Sequence, residues 1–226
     1  MRHYLTIALI ALLVMSGCSS ISDRLDKLFG GQEESSAQEL AWDGMEAYEK
    51  GRYKKSIEKF QRLKDYYPFS KYAILAELKI ADAHYQREDY EEAIFAYENF
   101  EQLHPRNEAI PYVIYQIGRC YFDQINTTDR DQTSAQKALA TFQRLIKQYP
   151  RDPYSTRAAE HISTAQKSLA GHAYGVGVFY YKTKHYKAAL HRFMTIISDY
   201  PDVGYHQMTL EYIAKCEAKI AQEESQ

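Results

Sequence analysis

The stretch LAWDGMEAYEKGRYKKSIEKFQRLKDYYP, residues 40–68, aligns without a gap on ELKIADAHYQREDYEEAIFAYENFEQLHP, residues 77–105, at a constant offset of 37. A small residue opens each count (Gly44, Ala81). Nine positions on stands a tyrosine (Tyr53, Tyr90), then Ser56 or Ala93, an aromatic (Phe60, Tyr97), Leu63 or Phe100, and a closing proline (Pro68, Pro105). Steps of 3, 4 and 3 from Tyr53 through Ser56 and Phe60 to Leu63 put four side chains on one face of a helix. Proline cannot continue a helix interior, so it ends each run. A third copy closes at Pro150 behind Gly118, Ala138, Phe142 and Leu145, and a fourth at Pro201 behind Gly177, Tyr186, Ala189, Phe193 and Ile196. The unit is a pair of amphipathic helices with a small residue where the two approach closely.

A recurring unit of this length marks a solenoid, because one pair cannot bury its apolar face alone and stacked pairs can. The pattern resembles the tetratricopeptide repeat. The expected fold is all-α, a superhelical stack of four helix pairs plus a C-terminal helix over residues 36–222. Two irregularities are informative. Pro105 and Pro150 lie 45 apart, eight more than the period, and the excess falls in DQINTTDRDQTS (residues 123–134), which predicts an extended loop inside the third pair. Pro150 and Pro201 lie 51 apart, fourteen more than the period. Residues 155–182 contain no proline and keep an apolar stripe through Ile162, Leu169, Ala173 and Val176. Fourteen residues are nearly four turns at ~3.6 each, so one long helix keeps its face in phase, with Gly171, Gly175 and Gly177 as the place for a bend. A last amphipathic helix over about residues 203–221 caps the stack.

The first residues, MRHYLTIALIALLVMSGC, carry one early charge at Arg2 and an apolar stretch of about twelve residues, short of the ~20 that span a bilayer. They predict a signal peptide over residues 1–17. Ser16 and Gly17 before Cys18 resemble a bacterial lipobox, in which the cysteine thiol takes a diacylglycerol. Ser19 rather than Asp after Cys18 implies sorting to the outer membrane. Residues 18–35 read as a lipidated polar tether with a short amphipathic piece at 21–29. Removing 17 of the 226 residues leaves 209, and the loss of Arg2 leaves 27 Lys and Arg against 30 Asp and Glu, a net charge of −3. That near-balance gives no footprint for nucleic acid. Cys120 and Cys216 fall within helical patterns and are expected as free buried thiols.

Chemistry is sparse. GHAYGVG (residues 171–177) lacks the preceding strand of a phosphate loop and is better explained by close helix packing. His185, His191 and His206 have no partner at metal-ligand spacing, so neither a metal nor a cofactor is expected. No nucleophile elbow and no paired carboxylates suggest an enzyme. The basic run GRYKKSIEKFQRLK and the acidic run REDYEEAIFAYENFE read as solvated outer faces whose opposite signs could also staple neighbouring repeats. Binding is what remains. In such repeats the first helix of each pair lines the concave side. Counting from the small residue places Met45 and Tyr48 there in the first pair, Leu78, Asp82 and Tyr85 in the second, and Tyr115, Arg119 and Phe122 in the third. Leu75 and Tyr112 fall at the rim. Such a groove suits an extended, aromatic-ended peptide whose carboxylate pairs with Arg119.

The order of lipobox at Cys18, regular repeat EAYEKGRYKKSIEKFQRLKDYYPFSKYA, second regular repeat, inserted repeat, and long helix before AALHRFMTIISDYP resembles the BamD (ComL) family of outer-membrane lipoproteins from Cys18 to about Ala221. That family is usually described with five repeats, against the four pairs and final helix read here. The resemblance implies a non-enzymatic scaffold of the β-barrel assembly (Bam) complex that binds the POTRA domains of BamA, unfolded barrel precursors and other Bam lipoproteins. It implies that residues 36–123 face substrate and residues 133–222 face the partner, with Arg192 in LHRF on the BamA-facing half. Two other readings compete. One is a lipoprotein scaffold of another envelope machine, a secretin pilotin, a pilus assembly factor or a Tol–Pal accessory. The other is a lytic transglycosylase with a helical superhelix, which would need a catalytic domain that no residues are left to build.

Overall fold

The computed structural model describes residues 36–225. The signal peptide, the lipidation of Cys18 and the tether lie outside the described residues. Among the described residues nine helices follow one another: α1 (Ala37–Glu49), α2 (Tyr53–Tyr66), α3 (Ala73–Gln86), α4 (Tyr90–Leu103), α5 (Ile110–Phe122), α6 (Thr133–Gln148), α7 (Pro153–Lys182), α8 (Tyr186–Asp199) and α9 (His206–Glu224). Each packs on its neighbours in sequence, and there is no strand among the described residues. This is the expected stack of helix pairs.

Local chemistry sets the ends. Ser36 and Glu39 form a reciprocal capping box, the Ser36 amide donating to Glu39 Oε2 at 2.8 Å and the Glu39 amide donating to Ser36 Oγ at 3.2 Å. The turn inside three pairs is tight and needs one residue at positive φ: Gly51 (68°), Glu88 (62°) and Lys184 (64°), each two positions before the repeat tyrosine. Only the third pair lacks this turn, because residues 123–132 replace it. The small residues then let the paired helices touch. A Cβ on Gly44 would stand 2.8 Å from the Phe60 ring, and one on Gly177 would stand 2.7 Å from the Phe193 ring; Gly118 faces Phe142 in the same way. Each aromatic is fully buried in the notch its glycine leaves. In the first pair, Ser56 Oγ also donates to the Gly44 carbonyl at 2.9 Å, which explains a hydroxyl where the other pairs carry alanine.

Burial forms three cores. Leu40, Phe60, Leu63 and Ile80 centre the first, on α1–α3. Tyr97, Phe100, Ile114 and Phe142 centre the second, which runs from α3 to Ala158 on α7. Ala170, Phe193, Ile196 and Cys216 centre the third, on α7–α9. The predicted long helix is real: α7 has 30 residues, about 45 Å at ~1.5 Å per residue, starts at Pro153 behind the cap Asp152, and contributes to two of the three cores. The predicted loop packs on its middle. Gln132 is buried there, donating from Nε2 to the Thr127 and Arg130 carbonyls (3.2 and 3.0 Å) and accepting from Ser168 Oγ (2.8 Å). His172 Nδ1 donates to the Thr128 carbonyl at 2.7 Å. Gly171 lies under Thr128 and Tyr205, where a Cβ would stand 2.9 and 2.6 Å from their nearest atoms.

Gly175 corrects the expectation of close packing at all three α7 glycines. It is exposed and a Cβ there would meet nothing within 4 Å. The last helix starts three residues later than expected, at His206, because Gly204 (φ 94°) and Asp202, whose carboxylate accepts from the Gly204 amide at 2.9 Å, form a turn first. Cys120 and Cys216 are both buried free thiols, as expected, and sit in different cores.

Candidate functional site

Met45, Asp82 and Arg119 occupy one repeat position in α1, α3 and α5, and Tyr48, Tyr85 and Phe122 occupy another. Their side chains form two polar nodes and an aromatic cluster. Asp82 is 2% exposed, yet its carboxylate is fully supplied with donors. Tyr97 Oη and Tyr112 Oη both donate to Oδ1 at 2.7 Å, and Lys79 Nζ lies 2.7 Å from Oδ2. A charge so deeply placed persists only with such partners. Gln116 Nε2 extends the chain of contacts by donating to Tyr112 Oη at 3.1 Å. Lys79 also lies 4.9 Å from the centroid of the Tyr48 ring, which meets Tyr53 edge-on. One buried carboxylate therefore ties α3, α4 and α5 together and reaches toward α1 through a lysine.

The second node joins α3 to the end of α5. Arg119 Nη2 donates to Tyr85 Oη at 2.8 Å and to Asp123 Oδ2 at 3.1 Å, and Tyr85 Oη donates to Asp123 Oδ2 at 2.5 Å. Arg119 Nε is shielded from solvent without a hydrogen-bond partner among the described residues. Beside this node lies the aromatic cluster, in which Tyr115 packs against Phe142, Tyr154 and His161, and Phe122 packs against Phe142 and His161. Tyr115 Oη and His161 Nε2 are 3.1 Å apart.

These surroundings fix protonation. Burial, then the charge of Asp82, pushes the Tyr48 phenol up to about 12. Burial and Asp82 likewise raise Tyr97 and Tyr112, and burial and the hydrogen bond to Asp123 raise Tyr85. The His161 imidazole is pushed down by burial and then by the Arg119 charge, which favours its neutral form. The site is thus a tyrosine-rich wall whose charges are held in two pairs, Asp82 with Lys79 and Asp123 with Arg119. Among the described residues no group of three or more His, Cys, Asp or Glu side chains could hold a metal ion, and no helix is long and apolar enough to cross a membrane.

The sequence-derived candidates fall into three kinds. Asp82 and Tyr115 are buried and hold other residues in place. Met45, Tyr48, Leu78, Tyr85, Tyr112, Arg119 and Phe122 are half-buried, and Leu75 is exposed. Arg192 stands apart, exposed on α8, with no carboxylate ion pair among the described residues. Arg119, read from the sequence as the partner of a peptide carboxylate, is already engaged by Tyr85 and Asp123. The missed partners are Lys79, Gln116, Asp123, Tyr154 and His161. Three were accessible from helical spacing, as Lys79–Asp82, Tyr112–Gln116 and Arg119–Asp123 are pairs at i,i+3 or i,i+4. Tyr154 and His161 come from α7 and carry no local signal. The basic and acidic runs, read as solvated outer faces, make no ion pair with each other among the described residues: α4 pairs with α6, through Glu101 and Arg144 (2.5 Å), and α2 with α1, through Lys59 and Asp43 (2.8 Å).

The YfiO family, described as an outer membrane lipoprotein, matches residues 33–226. The chain is 30% identical over 196 residues to the outer membrane protein assembly factor BamD of Caulobacter vibrioides, an alignment covering 87% of this chain and 64% of that protein. It is 28% identical over 221 residues to the protein of the same name from Vibrio cholerae, covering 93% and 89% of the two chains. With that of Haemophilus influenzae it shares 27% identity over 213 residues, covering 89% and 79%.

Proposed function

The chain belongs to the YfiO family of outer membrane lipoproteins, and we propose that it is a non-enzymatic assembly factor for outer-membrane β-barrel proteins, held at the periplasmic face of the outer membrane by lipid on Cys18. The observation that carries this reading is the extent of the family match, which covers the whole helical stack, together with relatives named as outer membrane protein assembly factors. A stack of helix pairs offers long, continuous surfaces, which suits a scaffold better than a catalyst. In this reading, residues 36–123 present the groove along α1, α3 and α5 to unfolded barrel precursors. Residues 133–222, including Arg192, hold the POTRA domains of BamA, and other Bam lipoproteins join the complex. Stable anchoring on Cys18 needs more than one acyl chain, because a single chain of ~0.8 kcal/mol per methylene holds a protein only reversibly.

Affinity purification of the tagged full chain from detergent-solubilised membranes, with partners identified by mass spectrometry, tests the scaffold. A near-equimolar POTRA-containing barrel protein is expected. A secretin or a Tol–Pal component in its place assigns the scaffold to another envelope machine and overturns the proposal. Cys18→Ala is expected to release the chain from the outer-membrane fraction, and unchanged fractionation excludes the anchor. For the groove, Tyr85→Ala with Arg119→Ala should weaken binding of an aromatic-ended peptide while helical content stays intact. Unchanged affinity removes the groove from the proposal.

A further inference from the structure

The second pair carries a large apolar side chain that the repeat does not ask for. Phe95 on α4 is 68% exposed, and Leu103, about two turns further on, is 66% exposed. Aligning the buried aromatics Phe60, Tyr97, Phe142 and Phe193 puts Phe95 in register with Glu58, Ala140 and His191. Polar or small residues serve at that position in every other pair, so the packing of the stack does not explain Phe95. Both Phe95 and Leu103 border an open cleft of about 490 Å³ between α2 and α4, floored by Ile80, Ala96 and Phe100. Its α4 edge is acidic, with Glu91 and Glu92 exposed, and its α2 edge carries Lys64. Large apolar side chains left outside along one cleft mark a surface that something covers.

The stretch ISDRLDKLF, residues 21–29, lies outside the described residues and has the complementary pattern. Ile21, Leu25, Leu28 and Phe29 recur at i, i+4, i+7 and i+8, one stripe of a helix. At ~100° per residue, Arg24 and Lys27 fall on one side of that stripe and Asp23 and Asp26 on the other. We propose that this segment docks as a short helix in the α2–α4 cleft of its own chain, with its apolar stripe turned to Phe95, Leu103 and the cleft floor. Of the two directions in which it can lie there, one brings Arg24 and Lys27 to Glu91 and Glu92, and the two aspartates to Lys64. The length of chain fits. α1 and α2 run antiparallel about the turn at Gly51, so Ser36 stands at the end of the stack where α2 and α4 finish, the same end as Leu103. The seven steps from Phe29 to Ser36 extend to about 23 Å at ~3.3 Å each, or two helix widths of ~10 Å. A segment tethered so closely meets the cleft at an effective concentration on the order of mM, so a modest affinity keeps it seated. Cys18 precedes Ile21 by three residues. On the anchor proposed above, the docked segment turns the outer α2–α4 face toward the lipid and leaves the groove along α1, α3 and α5 open.

Photo-crosslinking within the full chain in mild detergent gives the test. With p-benzoylphenylalanine in place of Phe95, irradiation is expected to join position 95 to residues 21–29, in a product of one chain's mass mapped by mass spectrometry. Arg24→Glu/Lys27→Glu should lower the yield several-fold, as the loss of exposed ion pairs does. Adding Glu91→Lys/Glu92→Lys should restore it, with helical content unchanged by circular dichroism throughout. Trypsin reads the same contact without the crosslinker. Cleavage after Arg24 should run roughly tenfold faster in Phe95→Glu than in the unaltered chain, because a large apolar contact no longer shields the segment. Attachment only to detergent or to other parts of the chain overturns the proposal, and so does a product of two chains' mass. Equal cleavage rates in Phe95→Glu and the unaltered chain place the segment on the micelle surface and overturn it as well. Neither readout needs lipid on Cys18, so the docking and the anchor are tested separately.

Discussion

Replacing Gly175 and Gly177 by alanine, one at a time, puts the same methyl group into the same helix two residues apart. Each change gains about 1 kcal/mol of helix propensity, because alanine loses less backbone entropy than glycine in a helix interior. At Gly175 nothing lies within 4 Å of the new Cβ, so that gain stands alone. At Gly177 the Cβ would lie 2.7 Å from Phe193 Cε1 and 2.9 Å from Cζ, well inside the ~3.5–4.0 Å of carbon contacts. The ring has little room to retreat. Phe193 is fully buried, stacks on Tyr212 with centroids 5.0 Å apart, and meets Tyr174 edge-on at 5.8 Å. Overpacking of that kind costs about 1–3 kcal/mol. Since the propensity gain is common to both variants, the difference between them is the packing cost alone. At roughly 2–4 °C per kcal/mol for a domain of this size, Gly175→Ala should melt about 2–12 °C above Gly177→Ala. Thermal unfolding followed by far-ultraviolet circular dichroism reads both. A Gly177→Ala variant melting at or above Gly175→Ala would refute the notch as the reason for glycine.

The tight turns offer a change of opposite sign. Glu88 and Lys184 hold positive φ without being glycine, at ~1–2 kcal/mol each, so Glu88→Gly or Lys184→Gly should raise stability by up to about 1 kcal/mol after the entropy cost of glycine. A loss on either replacement in urea titration counts against this account. Alkaline pH should destabilise the fold through Tyr48, Tyr85, Tyr97 and Tyr112, whose folded values lie above the ~10 of an unfolded tyrosine. Their contribution is whole below pH 10 and is lost as the pH climbs from there through the folded values, because only the unfolded chain releases those protons early. The urea midpoint should therefore fall above pH 10, and less steeply in Tyr97→Phe; an identical slope in that variant contradicts the assignment. Burial, then the charge of Asp123, pushes the Cys120 thiol up to about 12, and Cys216 is buried and raised as well. Both should resist a thiol reagent at pH 8 until denaturant is added, and fast labelling of the native chain would show the cores to be open.

The sequence carries the fold because the stack is written locally. Gly44, Ala81, Gly118 and Gly177 sit opposite Phe60, Tyr97, Phe142 and Phe193, so each helix crossing can be read from two residues within one repeat. The length of α7 was equally accessible, since a proline-free stretch with a continuous apolar stripe has few alternatives. The site was legible only in part. Repeat offsets located Tyr48, Tyr85, Asp82 and Arg119 on facing helices, but not what those side chains do. Asp82 occupies the position of Met45 and looks like a groove charge, yet the hydroxyls of Tyr97 and Tyr112 converge on it from α4 and α5. That convergence depends on how three helices stack, which no local spacing encodes. Gly175 shows the opposite limit. It lies close to two packed glycines in the sequence, and only its angular position on α7 separates it from them.

The inserted loop and the elongated helix, which look like separate departures from the repeat, are parts of one arrangement. A first helix of ordinary length is covered by its partner helix and by the pairs on either side. Stretching α7 to 30 residues leaves a middle section between the second and third cores, where Ala165 and Leu169 would meet water. Residues 123–132 reach this section from the third pair, through Gln132 on Ser168 and Thr128 on His172, and Tyr205 reaches it from the last turn. Gly171 is the point where loop, turn and helix meet, and it has no space for a side chain. The extra helix and the extra loop therefore require each other: either alone would expose apolar surface or leave the buried Gln132 amide without Ser168. The consequence for a scaffold is mechanical. The groove-bearing pairs and the Arg192-bearing pair are joined by one continuous helix braced at its centre, which resists bending between the two halves. In the proposed scaffold, partners bound at the two halves would be held at a fixed spacing by covalent geometry and packing, with no need for contact between them.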